Sequence, residues 1–180
     1  FRELVETCHK YGLKIILDGV FNHCSIHFAP FQDVIEKQEL SRYCNWFYIK
    51  RFPVEVSETD ADYECVGDYG YMPKLNTANL EVQSYIYNVM AFWLNEYHID
   101  GWRLDVADEI DPSLWARIRY RIKSAYPDCL LLGETWGDGF SLLDGKSVDS
   151  IMNYVFRDSV RDFFARGSID AKMFNHRICQ

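Results

Sequence analysis

The sequence predicts an α/β fold built from parallel βα units, and three observations carry that prediction. Segments with helical spacing alternate with short apolar runs, in the order helix, strand, irregular excursion, helix, strand, helix, strand, strand, helix. Alternation of this kind implies parallel strands joined by right-handed crossovers. The runs KIILDGV and CLLLGE carry few polar breaks, as expected of strands covered on both faces. Each of the first three runs ends in acidic or His side chains. In open sheets and closed barrels alike, that C-terminal edge is where sites are built. No GxGxxG or GxxxxGKS/T follows any run, so a doubly wound nucleotide binder is a poor fit.

Leu4, Val5 and Cys8 give Phe1 to Tyr11 a helical spacing, and Gly12 stops that helix. Lys14 to Val20 is the first strand, and it finishes in Asp18, Asn22 and His23. Residues 24–71 are irregular and rich in aromatic and charged side chains, with a short helical pattern at Phe31 to Lys37 and a strand-like Asn45 to Ile49. An excursion this long is an inserted subdomain or a functional device rather than an ordinary loop. Met72-Pro73-Lys74-Leu75-Asn76 closes it. Asn79 to Tyr97 is the longest helical segment, with Leu80, Ile86, Val89, Met90 and Trp93 as its inward stripe. Asp111 as cap and Pro112 at the first helical position open the next helix, whose apolar face is Trp115, Ile118 and Ile122. Cys129 to Glu134 is a buried strand ending in an acid, and Val148 to Tyr154 is a weaker one. A helix from Phe156 to Ala165 and a Ser168-capped helical piece follow.

Composition excludes several functions. The chain has 180 residues, 48% of them apolar, which suits one domain with a sizeable core and argues against disorder. The net charge of −8 and the lack of a basic run exclude a nucleic-acid partner. No apolar stretch is long enough to span a membrane. Six cysteines form no CxxC and match no zinc pattern. Cys8 and Cys129 fall in apolar contexts where a buried thiol is the default, and the set reads as reduced thiols of a cytoplasmic protein.

The chemistry centres on Gly101-Trp102-Arg103-Leu104-Asp105-Val106-Ala107-Asp108. On a strand, side chains at i and i+2 share a face, so Arg103 and Asp105 point into one space. A nearby cation lowers a carboxylate pKa, and Arg103 is expected to hold Asp105 ionised. Glu134 ends the next strand, on the same rim, with no cation adjacent in sequence. It is the better candidate for a general acid of raised pKa. Trp136 follows two residues later, where it can stack on a ring. The alternative is that Asp105 and Arg103 are a structural ion pair.

Asp18-Gly19-Val20-Phe21-Asn22-His23, Gly101 to Asp105 and Gly133-Glu134-Thr135-Trp136 resemble, in order, the first three sequence regions of the α-amylase family of glycoside hydrolases. Met72 to Asn76 resembles the extra motif of its neopullulanase, cyclomaltodextrinase and maltogenic amylase group. The resemblance covers essentially the whole chain. It implies part of a (β/α)8 TIM barrel over residues 1–180, about strands three to six, with residues 24–71 as the domain B inserted after strand three. It implies a retaining hydrolase of α-1,4-glucosidic bonds in cyclodextrins, pullulan or maltooligosaccharides, with an α-glucan as partner. Asp105 is then the nucleophile and Glu134 the acid and base, with Arg103 orienting Asp105. His23 bonds the sugar before the cleaved bond, Trp136 and Glu109 flank the subsites after it, and Asp18 supports the first motif. Retention implies carboxyl groups about 5–5.5 Å apart.

The sequence departs from the family pattern in three respects. The fourth region is missing: Phe174-Asn175-His176 is followed by Arg177 where an Asp belongs, and the stretch reads as helix. Strands one, two, seven and eight have no counterpart, so the chain alone is expected to be weakly active or inactive and to associate through open edges. Asp108 stands where the group more often has Asn. No cofactor is required. Asn22 matches a calcium-ligand position of many α-amylases, but one side-chain oxygen does not make a calcium cage. Rival readings are a transglycosylase or branching enzyme with the same carboxylates, and a catalytically silent glycan-binding relative.

Overall fold

The computed structural model describes residues 1–67 and 69–179; Asp68, within the excursion, and Gln180 lie outside them. Strands β1 (Ile16–Gly19), β2 (Gly101–Leu104), β3 (Leu130–Gly133) and β4 (Ser150–Ile151) form one sheet in the order β1-β2-β3-β4. All neighbours are parallel, as the alternation of helices and apolar runs implied. The register runs Ile16–Gly101–Leu130 at one end and Gly19–Leu104–Gly133 at the other. Gly101 is required where β2 starts, because a Cβ there would come within 2.5 Å of the Leu130 carbonyl oxygen. Within the described residues β1 and β4 are the sheet's two edges.

Helices α1 (Arg2–Lys10), α3 (Leu80–Tyr97) and α4 (Pro112–Ala125) connect and cover the strands. Asn79 caps α3 by accepting from the Glu81 and Val82 amides, and Asp111 caps α4 by accepting from Ser113 N. Such caps satisfy backbone donors that a helix start leaves unpaired. The buried stripe of α3 is Val82, Ile86, Met90 and Leu94, a row of steps of four. This corrects the expected stripe at Leu80, Val89 and Trp93. Leu80 is the exposed first residue, and Val89 and Trp93 flank the core. On α4 the expected Trp115, Ile118 and Ile122 are buried, joined by Leu114. Burying an aliphatic side chain is worth about 1.5–3 kcal/mol, so these two rows fasten both helices to the sheet. On α1 only Val5 is buried; Leu4 is exposed and Cys8 half-buried.

The excursion has a small core of its own. Phe31, on α2 (Ala29–Lys37), is fully buried against Phe47 and Tyr63, with ring centroids 4.9 and 4.7 Å away. Asn45–Ile49 is not a strand. Cys44–Trp46 is a 3-10 turn, and Phe47 and Ile49 make single antiparallel bridges to Leu75 and Tyr63. After β4, α5 (Tyr154–Val160) runs into a π-helical segment, Arg161–Arg166, and α6 (Ala171–Ile178) follows. Asp170 rather than Ser168 caps α6, accepting from Met173 N at 2.7 Å. The Phe174-Asn175-His176 stretch is helical, as read from sequence. Among the described residues no helix is long and apolar enough to cross a membrane.

Candidate active site

The strand register builds the site. Asp18 on β1 is aligned with Arg103 on β2. One step further, Asp105 N donates to Gly19 O at 3.1 Å and Glu134 N donates to Leu104 O at 2.8 Å. The backbone ladder thus sets Asp105 and Glu134 at the C-terminal ends of adjacent strands. The Arg103 guanidinium stands between them. Its Nη1 donates to Asp18 and to Asp105 Oδ1 (3.0 Å), and its Nη2 lies 2.7 Å from Glu134 Oε1. Its Nε donates to Met152 Sδ at 3.2 Å. The side chains of Arg103, Asp105 and Glu134 are 23%, 19% and 7% exposed. Three carboxylates around one cation leave a net negative rim, dry at Asp105 and Glu134 and open to water at Asp18. That is affordable only because each charge has a partner.

Glu134 is held from two further sides. Tyr154 donates its hydroxyl to Oε1 at 2.8 Å, and Val106 N donates to Oε2 at 3.2 Å. Val106 has φ 45° and ψ 48°, a left-handed conformation that is costly for a β-branched residue. That turn directs its N–H at the carboxylate. Burial works against the Glu134 anion, but Tyr154, the Val106 amide, Asp105 and Arg103 together hold its pKa below the ordinary value. Burial pushes Asp105 up and the neighbouring Glu134 adds to the rise, while Arg103 opposes both; the net shift is upward. This corrects the electrostatic assignment made from chain order. Arg103 serves both acids rather than Asp105 alone, and the two titrate as one pair.

The other candidate residues arrange themselves around this centre. Asn22 is fully buried; its Nδ2 donates to Glu109 Oε2 at 3.3 Å and its Oδ1 has no hydrogen-bond partner among the described residues. Lys74 Nζ reaches the same Glu109 oxygen at 3.0 Å. His23 is half-buried. Burial lowers its pKa against the opposing fields of Asp105 and Glu109, which keeps the ring neutral at pH 7. Trp136 is 68% exposed, and its ring centroid is 5.0 Å from that of Tyr154. Asp108 accepts from the Thr135 hydroxyl at 2.8 Å. A hollow of about 600 Å³ lies beside the rim and is lined by His23, Phe28, Tyr71 and Met72 among others; of the candidate residues it takes in only His23. Among the described residues no group of three or more His, Cys, Asp or Glu side chains is placed to hold a metal ion. Calcium takes six to eight oxygens, and Asn22 offers one while bonding Glu109 through its amide. These residues do not fit a calcium cage.

Tyr154, Met152 and Lys74 were not singled out from sequence as site residues. The first two follow β4 directly. Applying to that weak strand the rule that strand ends carry the site would have found them. Lys74 lies in the Met72 to Asn76 motif, whose spacing alone points to no chemistry.

The sequence profile of the family described as "Alpha amylase, catalytic domain" matches residues 1–179. A cyclomaltodextrinase of Thermoanaerobacter pseudethanolicus is 46% identical over 180 residues, covering 99% of this chain and 31% of that protein. Neopullulanase 2 of Thermoactinomyces vulgaris is 49% identical over 176 residues, covering 97% of this chain and 30% of that protein. Among solved structures, the cyclic α-maltosyl-(1→6)-maltose hydrolase from Arthrobacter globiformis, in complex with cyclic α-maltosyl-(1→6)-maltose, superposes with a TM-score of 0.93 at 35% identity, covering 99% of this chain and 40% of that one. The chain therefore spans about 30% of the length of the curated relatives named here.

Proposed function

The chain belongs to the α-amylase family, as a span of its catalytic domain, and from that premise we propose that it supplies the catalytic carboxylates of a retaining glycosidase. Its fold is an α/β part of a (β/α)8 barrel. In the proposed reading residues 24–71 are an inserted domain B, and the full protein closes the barrel. The substrates are α-1,4-linked glucans: cyclodextrins, pullulan or maltooligosaccharides.

In the first step an Asp105 oxygen attacks the anomeric carbon. The bond to the leaving oxygen breaks, and that oxygen takes the proton of Glu134. In the second step Glu134 accepts a proton from water. The resulting hydroxyl displaces Asp105 from the sugar, and both carboxyls return to their starting state. The reaction needs the pair's proton on Glu134 and Asp105 as the anion; in the free site burial raises Asp105 while Tyr154 and the Val106 amide lower Glu134, so bound substrate has to reverse that order. Asp18 anchors Arg103. Neutral His23 offers a hydrogen bond to the sugar before the cleaved bond, and Trp136 and Glu109 receive the units after it. No step is routed through calcium. The lack of any CxxC pair suits a cytoplasmic setting, where thiols are kept reduced.

The observation that carries this reading is the single guanidinium shared by Asp18, Asp105 and Glu134 at one strand rim. The test uses the full-length protein with β-cyclodextrin and follows the first products by NMR. Initial α-anomers are expected; initial β-anomers, or no reducing ends at all, would overturn the proposal.

A further inference from the structure

The rung that carries the two acids carries a third residue. Asp105, Glu134 and Met152 each stand one residue past the end of a strand. Each N–H donates to the last carbonyl of the strand before: Asp105 N to Gly19 O at 3.1 Å, Glu134 N to Leu104 O at 2.8 Å and Met152 N to Gly133 O at 3.0 Å. The register that sets the acids therefore sets Met152 as well. Its sulfur meets both side chains that hold Glu134. Arg103 Nε donates to Met152 Sδ at 3.2 Å, and the Tyr154 hydroxyl lies 3.7 Å from the same sulfur.

A guanidinium is a rigid planar fork of donors. Nη1 reaches Asp18 and Asp105, and Nη2 reaches Glu134. The bond from Nε holds the third corner, which keeps the plane from pivoting between the acids. The acceptor's chemistry matters as much as its place. The rim already sets three carboxylates against this cation, and a fourth would draw its field away from the pair. A thioether is neutral and a weak acceptor. It directs the Nε–H without competing for the charge. Packing alone does not account for the contact, because a plain hydrocarbon of that volume leaves a part-buried donor unpaired.

We propose that Met152 is a positioning residue: its thioether takes the Nε–H of Arg103 and fixes the guanidinium so that one fork faces Asp105 and Glu134 together. The inference rests on the glycosidase reading and deepens it, by naming what steadies the charge of the acid pair. The charged and titratable groups facing that pair are Asp18 and His23 from the β1 side, Arg103 from β2 and Tyr154 from α5, with Glu109 and Lys74 acting on His23 behind. Arg103 pulls the pKa of both acids down, so a guanidinium free to pivot leaves both higher.

The test is the pH profile of kcat/KM for β-cyclodextrin opening by the full-length protein, whose two limbs report the pair. Met152→Leu nearly conserves volume and removes the acceptor. Both limbs are expected to move to higher pH by about half a unit. Met152→Gln restores a neutral acceptor and brings the limbs back toward the parent. Met152→Glu adds a fourth carboxylate and moves them beyond the Leu variant. Leu limbs within about 0.2 unit of the parent, or Gln limbs that coincide with those of Leu, overturn the inference and leave Met152 a packing residue. Should Met152→Leu lose its cooperative thermal unfolding, Gln is compared with Glu, and coincident limbs in those two overturn it. A parent that opens no β-cyclodextrin defeats the glycosidase reading first, and the positioning role falls with it.

Discussion

In the sheet, β1, β2 and β3 advance in step from Ile16–Gly101–Leu130 to Gly19–Leu104–Gly133. In the excursion, antiparallel contact is made one residue at a time: Phe47 with Leu75, Ile49 with Tyr63, Cys65 with Pro73. Side chains take over the rest. Gln38 donates to the Val54 carbonyl and accepts from its amide, and Asp62 accepts from Arg51 and from Glu55 N. A ladder sets many positions with one register, so the acids at its end are placed by the whole sheet. Point contacts each set one position. The difference separates a rim built for fixed chemistry from a wall whose local changes stay local, and substitutions on either side can break or sharpen it.

The largest effect belongs to the rim. Asp105→Asn in the full-length protein is expected to lower kcat at least about 10³-fold while unfolding at nearly the parent temperature. A large loss of stability instead would make the Asp105–Arg103 contact a structural pair. Next comes the excursion core. Phe31→Ala, at a fully buried ring, is expected to cost about 3–5 kcal/mol in urea unfolding, while the protein that remains folded keeps its kcat. A matching collapse of kcat would show that the wall and rim are not separable.

Tyr154 lies between the two regimes, since it touches the rim from the end of the weakest strand. Its hydroxyl favours the Glu134 anion, so removing it raises the Glu134 pKa. Tyr154→Phe is expected to move the alkaline limb of the kcat/KM profile to higher pH and to cost roughly tenfold in rate. An unmoved limb would mean that Tyr154 does not govern Glu134. The smallest effect lies on the outer side of the sheet. Burial opposes the Asp149 anion, but Lys123, the Leu131 amide and Arg119 outweigh it and hold its pKa below 3.8. A folded pKa below the unfolded one adds stability above the ordinary carboxylate value, and that stability is lost as pH falls through the folded value. Urea midpoints measured from about pH 5 to pH 3 should fall more steeply for the parent than for Asp149→Asn; parallel slopes would remove Asp149 from the sheet's support.

The same contrast explains what the sequence disclosed. KIILDGV and CLLLGE were legible as strands because both faces are covered and few polar residues interrupt them. The ends of those strands and of Gly101 to Val106 between them named Asp18, Glu134 and Asp105. The reach of α3 was legible from its period and the Asn79 cap. Its inward face was misjudged, because tertiary contact selected the row from Val82 to Leu94 over the neighbouring one through Val89 and Trp93. Asn45–Ile49 looked like a strand, yet its bonds are single bridges and a 3-10 turn, and no spacing rule encodes those. The charge balance at the rim was illegible for a related reason. Arg103 is two residues from Asp105 in sequence, but only the register brings its other nitrogen to Glu134.

The most direct test of the central claim is covalent trapping. The full-length protein is incubated with a 5-fluoro-α-glucosyl fluoride, whose glycosyl-enzyme turns over slowly, then digested and read by mass spectrometry. The expected result is one sugar on the peptide containing Asp105, with the ester on that residue. A label on Glu134 or Asp18, or no label while the fluoride is consumed, would contradict the assignment of nucleophile and acid at this rim.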